Sequence, residues 1–563
     1  MIDDTEIAIG EDSGVPSPAL ESLAAAAAAA LLASCGGGGS ENDGGPSGSA
    51  TTAQASRFLG QAGLAATDED IQEVQFQRYD GWLNNSFNRT ATQSMWDWLV
   101  AQGYNTAEYN YSESPCDYAI WHHLITAPDQ LRQRIALALS EYFVVSIEGI
   151  QSDWPQFIMA AYWDLLCAHA FGNFRELLEA VTLSPAMGLY LSTNGNRKED
   201  SRGRLPDENY AREVMQLFTI GLRELNPDGT PQKDGSGNAI ETYNQDTIVN
   251  LARVFTGWYI DTSMDPDGTT PYRSPMTLKA SNHSTLAATF LGTTIPADTD
   301  GVEALRIALD TLFNHHNVGP FFGKQMIQRL VTSNPSPAYV SRVAAAFDNN
   351  GGGIRGDMKA VIRAILLDPE ARSDDALTLP NSGKLREPML RFIQWARIFN
   401  AKSETFTWRI PDLSDGSREL CQSPLRSPSV FNYFRPGYTP PNSAIADSGM
   451  VAPEFQITNE PTVAGYLNFM QSVIQNGTAW NSFTSHNDVT ADYATELSLA
   501  GDPSALVQRL NLLLAANQIG TATEARIIAA VSTISMTNSS GPLNRVRAAI
   551  MLVMACPEYL VQK

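Results

Sequence analysis

The feature that most constrains the fold is the helical spacing of apolar residues along positions 57–563. Leu131 and Ile135, for example, open a stripe with i, i+4 spacing that continues over the following turns. Strand-like alternation is scarce, and turn-rich stretches predict short hairpins only around 230–243 and 259–278. The sequence therefore predicts a mainly α fold, a large multi-helical globular domain with short β-hairpins in loop insertions.

Local signals predict where several of these helices begin. Asp246 and Asp357 each stand directly before a helical pattern and are predicted N-caps. The last helix is predicted over about Leu543 to Cys556. Because this segment is nearly apolar after Arg547, we expect it to be deeply buried.

Charge excludes several classes of partner. The chain of 563 residues has a formal net charge of −23 at pH 7, so it should repel nucleic acids and anionic membrane surfaces. Its longest uninterrupted apolar run, residues 23–33, is shorter than the roughly 20 residues that a membrane-spanning helix needs. We predict no nucleic-acid partner, and membrane association only through a lipid anchor.

The first 56 residues predict export. Residues 1–34 form a degenerate signal-like segment that ends in Leu-Ala-Ser before Cys35, as in a bacterial lipobox with a lipidated cysteine. Residues 35–56 are rich in Gly and Ser and are predicted to be a tether, followed by the helical domain over 57–563. A signal peptide needs a positive n-region, yet no Lys or Arg precedes Arg57. The alternatives are a periplasmic or cell-surface lipoprotein and a disordered tail with a chance cysteine.

The other cysteines leave one pairing open. Cys116 and Cys421 lie in loop-like sequence and could form a disulfide in an oxidising compartment, whereas Cys167 and Cys556 lie in apolar helical patterns typical of buried thiols. The chain has no Cys-x-x-Cys, which excludes a cysteine-rich zinc site.

Sequence motifs identify no cofactor and no metal. The nucleophile elbow, the zincin motif, the dinucleotide-binding glycine pattern and the Walker A motif are all missing. Histidines are adjacent at 122–123 and 315–316. Neighbouring residues on a helix point about 100° apart, so neither pair is expected to chelate a metal.

The densest polar group is the segment PDENYAREVMQLFTIG, residues 206–221. Glu208 and Arg212 are four residues apart, as are Asn209 and Glu213, so the four side chains share adjoining faces of one helix. One interpretation is a solvated face or structural ion pair. The other is a site in which Glu208 or Glu213 is a general acid/base or metal ligand and Arg212 holds an anionic group.

Several segments together resemble a large bacterial family called domain of unknown function 1800. They include RFLGQAGLAATDEDI, LRQRIALALSEYFVVS, PDENYAREVMQLFTIGL, LARVFTGW, KLREPMLRF, SPSVFNYFRPGYTPP and APEFQI. The resemblance covers about residues 57–563. It implies a typically exported protein without an established activity. It also implies a candidate partner, the sulfatase-like domain of unknown function 1501 family, whose genes often lie beside those of this family.

The resemblance also singles out residues. It places the family's ENYARE block on Glu208 to Glu213 and its histidine after the TGW element on His283. Many relatives have histidines where this chain has Phe218 and Leu139-Ser140-Glu141-Tyr142, which weakens a histidine-metal mechanism here. Arg386 and Glu387, in the KLREP segment, join Asn209 and Arg212 as candidate binding residues.

Two functions remain as alternatives at this point. The first is an envelope-associated binding or assembly protein that acts with a partner or an extracellular polymer. The second is an extracytoplasmic hydrolase or lyase in which Glu208, Glu213 and His283 are catalytic. The positions of these side chains distinguish the two, because catalysis requires them in one concave pocket.

Overall fold

The apolar stripes of the sequence form helices in the structure. A computed structural model describes residues 50–482 and 484–563, and the fold over these residues is mainly α with a few short strands. The predicted fold class is therefore confirmed. None of the helices in these two ranges is both long enough and apolar enough to cross a bilayer.

The helices of the described chain are numbered in chain order: α1 (Thr52–Ala62), α2 (Asp68–Asn88), α3 (Met95–Ala101), α4 (Ser114–Thr126), α5 (Gln130–Tyr142), α6 (Pro155–His169), α7 (Phe174–Leu183), α8 (Pro185–Tyr190), α9 (Asn209–Gln216), α10 (Gln245–Val254), α11 (Gly301–Phe313), α12 (Val318–Leu330), α13 (Pro337–Asp348), α14 (Met358–Leu366), α15 (Pro369–Arg372), α16 (Pro388–Ile398), α17 (Ala444–Asp447), α18 (Glu460–Asn476), α19 (Ala494–Ser498), α20 (Pro503–Ala515), α21 (Thr521–Ser532), α22 (Gly541–Ala555) and α23 (Pro557–Leu560).

The strands are short and pair in small antiparallel sheets. They are β1 (Trp258–Tyr259), β2 (Thr277–Leu278), β3 (Ala288–Phe290), β4 (Thr293–Ile295), β5 (Lys384–Leu385), β6 (Lys402–Ser403), β7 (Thr478–Asn481), β8 (His486–Thr490) and β9 (Val561–Gln562). The pairs are β1 with β2, β3 with β4 and β5 with β9, and a three-stranded sheet has the order β6-β8-β7. The hairpin predicted around 259–278 is β1–β2, and isolated bridges join the two sides of the hairpin around 230–243.

Helix α5 lies at the centre of the core. Every residue of this helix except Arg132 is buried, and it packs against α2, α4, α6 and α12. The helix therefore uses not only the predicted stripe of Leu131 and Ile135 but its whole circumference. Polar residues on it, including Arg134 and Glu141, are consequently carried into the interior.

The predicted helix starts and the predicted burial of the C-terminal helix are confirmed only in part. Asp357 caps α14 as predicted, since its side chain accepts hydrogen bonds from the amides of residues 359 and 360. The prediction of Asp246 as an N-cap is wrong, because Asn244 accepts from the amide of Thr247 and starts α10 two residues earlier. The helix predicted as the last one is α22, which the short α23 follows, and its predicted deep burial holds for only one face, with Leu552 38% exposed on the other.

The predicted N-terminal segments fall mostly outside the described residues. Residues 1–34, Cys35 and the tether up to residue 49 belong to this part. Within the described chain, α1 begins at Thr52, so the last residues assigned to the tether are helical. All four cysteines after residue 49 are free, and the disulfide considered between Cys116 and Cys421 is therefore absent.

Arg545 on α22 offers a test of how the last helices are held together. Its guanidinium donates to the carbonyl of Ala500 at 2.8 Å and to that of Ile534 at 2.6 Å, and the residue is 7% exposed. Arg545→Ala leaves these acceptors without their donor and should lower the free energy of unfolding by about 1–3 kcal/mol. Urea denaturation measures this loss. Arg526→Ala, on the exposed face of α21, is the control and should change stability by less than about 0.5 kcal/mol. Equal effects of the two variants would contradict the assignment.

Candidate functional site

The predicted polar segment forms α9 and the turn before it. Glu208 is the N-cap residue, and its carboxylate lies 3.1 Å from the guanidinium of Arg212 and accepts a hydrogen bond of 2.7 Å from Gln245. Both ion-pair side chains are about one-third exposed or more, and Asn209 lies exposed beside them. An exposed pair at this spacing contributes only about 0–1 kcal/mol. The i, i+4 contact expected from the sequence is present, on the surface.

Glu213 lies on the same helix but in a different environment. Its side chain is buried, and no hydrogen bond within the described chain satisfies its Oε2. Burial raises the pKa of Glu213, and the nearby charge of Arg212 opposes this only in part. The hydroxyl of Tyr243 is also buried and unpaired, and burial together with the charge of Glu213 raises its pKa to about 12. Glu213 is thus the carboxyl of this segment best suited to hold a proton.

His283 is held by contacts of its own. Its Nδ1 donates to the carbonyl of Thr256 at 2.9 Å, and the ring is buried. Gly257, which follows Thr256, packs closely against His283: its φ is +87°, and a Cβ there would lie 3.0 Å from the backbone nitrogen of His283. The hydrogen bonds of the ring therefore go to Thr256 and not to Glu208 or Glu213. The structure does not join the three predicted catalytic side chains by hydrogen bonds.

Arg386 and Glu387 lie in the interior. Arg386 donates to the carbonyl of Tyr559 at 3.3 Å and stacks on that ring, with 4.9 Å between guanidinium carbon and ring centroid. Glu387 is 0% exposed and accepts from Gln422 at 2.8 Å. Neither side chain offers a surface for a ligand in this conformation.

Glu387 belongs to a group of six buried charges that we call the buried charge cluster. Its members are Arg134, Glu141, Arg329, Lys384, Glu387 and Glu454. The ammonium of Lys384 lies 3.2 Å from Glu387 and 3.1 Å from Glu454, and it donates to the carbonyl of Arg329 at 2.8 Å. Three positive and three negative groups thus balance formally in a region from which water is largely excluded.

The carboxyls of the cluster differ in their proton affinity. Burial raises the pKa of Glu141, and the negative charge of Glu387 raises it further. Burial also acts on Glu387, but Lys384 and Arg134 outweigh it and hold its pKa well below the usual range. Glu141 is therefore the member that keeps a proton most readily and Glu387 the member that stays ionised. This difference fits a structural role, since a protonated carboxyl beside an ionised one avoids two buried like charges.

The cluster joins segments that carry the resemblance described above. Arg134 and Glu141 lie in LRQRIALALSEYFVVS, Lys384 and Glu387 in KLREPMLRF, and Glu454 in APEFQI. The family model described as Protein of unknown function (DUF1800) matches residues 57–561. The chain belongs to this family. No curated protein and no solved structure is significantly similar to it.

A cleft lies beside the start of α9 in this DUF1800 protein. It has a volume of about 340 Å³ and is open to solvent. Its lining is polar and comes from the loop before the helix: Ser192, Asn194, Gly195, Asn196, Arg197, Arg204, Leu205 and Asp207. The cleft thus places two guanidinium groups and several hydrogen-bonding side chains on one accessible surface.

One group of candidate ligands in the DUF1800 chain was missed by the sequence analysis. Single ligand atoms of Glu224, His315 and His316 all lie within 4.8 Å of one another. The helix geometry from which chelation by residues 315–316 was judged unfavourable does not apply, because these residues form the turn between α11 and α12 and are not helical. Their rings stack with centroids 4.5 Å apart. Burial, with a smaller effect of His316 and Arg355, lowers the pKa of His315 to about 4. The asparagines on either side of the pair were the available signal for a turn.

The raised pKa of Glu213 predicts a pH-dependent effect of Glu213→Gln. A carboxyl whose pKa is higher in the folded state binds more protons there, so it favours folding below its unfolded pKa of about 4.5 and loses that contribution as pH rises. At pH 7 the variant should therefore melt at a higher temperature than the parent, and the difference should shrink towards pH 4. Thermal unfolding at both pH values measures this.

Glu208→Gln is the matched control on the same helix. It removes a carboxylate from an exposed pair, so its melting temperature should stay close to that of the parent at both pH values. A Glu213→Gln variant that is less stable than the parent at pH 7 would contradict the assignment and would indicate a structural ion pair.

Proposed function

We propose that this DUF1800 protein is an envelope-associated binding protein that holds a carboxylate-bearing extracellular polymer in the cleft of residues 192–207. The observation that carries the proposal is the chemistry of the cleft. Arg197 and Arg204 face it together with Asn194 and Ser192. Guanidinium groups suit carboxylates because they offer paired N–H donors, and amide and hydroxyl groups suit the hydroxyls of a sugar chain.

The charge of the whole chain makes this loop distinctive. The protein has a net charge of −23, yet the loop brings Arg197, Lys198, Arg202 and Arg204 close together in sequence. The same loop also carries Glu199, Asp200 and Asp207, so residues 192–207 have a net charge of only +1, and Asp200 lies 3.5 Å from Arg204. The loop is thus slightly positive on an acidic protein, and its guanidinium groups can attract an anionic ligand locally, while the rest of the surface disfavours non-specific contact.

Export and lipid anchoring at Cys35 belong to the same proposal. The apolar block before Cys35 and the Gly-rich segment after it support a lipoprotein on a tether. A tethered binding domain would act at the envelope with a polymer or with a neighbouring protein. The sulfatase-like domain of unknown function 1501 family is the partner that we propose on the basis of the resemblance.

A hydrolase or lyase is the second candidate, and Glu213 is the residue that favours it. A buried carboxyl with a raised pKa is the usual form of a general acid. The geometry favours this candidate less, because His283 is bound to Thr256 and Glu208 to Arg212. Substrate would also have to reach a side chain that is only 7% exposed.

Binding to polygalacturonate tests the role of the cleft. The double variant Arg197→Glu, Arg204→Glu should bind this polymer at least about tenfold more weakly than the parent, since each lost charge-assisted hydrogen bond is worth about 1.5–3 kcal/mol. Affinity electrophoresis or calorimetry measures the change, with neutral dextran as the uncharged polymer.

The control for this experiment changes the net charge by the same amount elsewhere. Lys402→Glu, Arg526→Glu alters two exposed residues outside the cleft and should retain parental affinity. Equal weakening by both double variants would show only a general charge effect and would contradict the assigned cleft.

Anchoring is tested by Cys35→Ser. The parent should incorporate radiolabelled palmitate and fractionate with membranes, and the variant should lose both properties because it lacks the acylated sulfur. A parent protein that takes up no label and fractionates like the variant would contradict anchoring. This result would leave polymer binding by the cleft to be decided by the polygalacturonate experiment alone.

A further inference from the structure

We propose that Glu224, His315 and His316 form a binding site for Zn²⁺. The Nε2 atom of His316 lies 2.9 Å from Oε2 of Glu224, and the Nε2 atom of His315 lies 3.9 Å from Oε1 of the same carboxylate. Tetrahedral zinc with bonds of about 2.0–2.2 Å separates its ligand atoms by roughly 3.3–3.5 Å. The two observed separations lie on either side of this value, so small side-chain rotations bring the three groups around one ion.

The backbone positions these groups before any metal binds. Asn317 is fully buried, and its side-chain amide donates to the carbonyls of Ile220 at 2.7 Å and Arg223 at 2.8 Å. Its Oδ1 accepts from the amide of Leu225 at 2.9 Å. Asn317 therefore ties both neighbours of Glu224 to the turn that carries the histidines. Preorganisation of this kind reduces the entropy lost when a ligand set closes on an ion.

Backbone hydrogen bonds to the facing side of the hairpin also hold Glu224 in place. Its amide donates to the carbonyl of Ile240 at 2.9 Å, and its carbonyl accepts from Gln232 at 2.7 Å. The carboxylate itself is less well satisfied, because Oε2 is buried and has no hydrogen-bond partner in the described chain. His316 lies at a suitable distance but outside the direction of a hydrogen bond. A buried, unpaired carboxylate oxygen is costly, and a metal ion would satisfy it.

The ligand types favour zinc over the hard cations. Mg²⁺ and Ca²⁺ prefer shells made of oxygen atoms, whereas imidazole nitrogen with one carboxylate is typical of Zn²⁺. Three protein ligands leave a fourth position. His316 is 58% exposed, so this position opens towards solvent and would take water or an external ligand.

Zinc binding requires one local change at His315. The amide of Asn317 donates to Nδ1 of this ring at 3.2 Å, which places the proton of the neutral ring on Nε2. Coordination through Nε2 moves that proton to Nδ1, so the ring must turn slightly to clear the Asn317 amide. The hydrogen bond is long for an N–H donor, and its loss is a small cost against two metal–ligand bonds to imidazole.

Zinc titration of the full chain tests the site. The metal-stripped parent should bind one Zn²⁺ per chain in competition with a chelating dye, and zinc should raise its melting temperature by mass action. His316→Ala and Glu224→Gln should each weaken binding by at least about tenfold, since removing even a supporting group of a metal site costs 10–100-fold. His316 is largely exposed, so His316→Ala should fold with a metal-free melting temperature close to that of the parent.

His486→Ala is the matched control. His486 also forms an exposed pair with a carboxylate, Glu404 at 2.7 Å, but belongs to no group of three candidate ligands within the described chain. This variant should bind zinc as tightly as the parent. A parent that binds no zinc would overturn the proposal. Zinc binding that His316→Ala and Glu224→Gln leave unchanged would overturn it equally, because the ion would then be bound elsewhere, for example by the free cysteines.

Discussion

The contacts made by the buried ammonium group of Lys384 are the interactions on which the rest of the core depends. It contacts two carboxylates and one carbonyl, and through them it connects β5, the start of α16, the end of α12 and the short 3-10 helix Pro453–Ile457 that carries Glu454. Arg134 and Glu141 extend the cluster to the central helix α5. A buried charge is tolerated only while its partners are in place, so these segments are specified together. Five of the six cluster residues lie in segments that carry the family resemblance, although many relatives differ around Glu141.

Much of the fold could be predicted because helix periodicity is a local property. The stripe along α5 and the cap at Asp357 both follow from a few neighbouring residues. The pairing of β5 with β9 could not be predicted, since two-residue strands carry no alternation and their partners are distant in sequence. The choice of Asn244 over Asp246 as a cap was equally undetermined by the sequence, because both side chains suit the position.

The candidate site residues likewise divide into those that local sequence spacing predicts and those whose position depends on the tertiary structure. The pair of Glu208 and Arg212 follows from i, i+4 spacing on one helix. The burial of Glu213, only one residue beyond Arg212, depends on which face of α9 meets the core. The relative orientation of His315 and His316 could not be predicted from helix geometry, because the two residues occupy a turn. Glu224 comes from a distant hairpin, and Asn317 holds the neighbours of Glu224 beside the histidines through contacts that no local sequence pattern predicts.

The pairing of β5 with β9 has a consequence for how the chain matures. Val561 and Gln562 hydrogen-bond beside Lys384, and the side chain of Gln562 donates to the carbonyl of Leu330. The amino-terminal helix α1 takes part as well, since Arg57 donates to the carbonyl of Lys563. During synthesis these last residues leave the ribosome after all the segments that they complete. The contacts that residues 561–563 make with α1, α12 and β5 therefore form only after translation has passed these residues, and a shorter nascent chain cannot complete this part of the core.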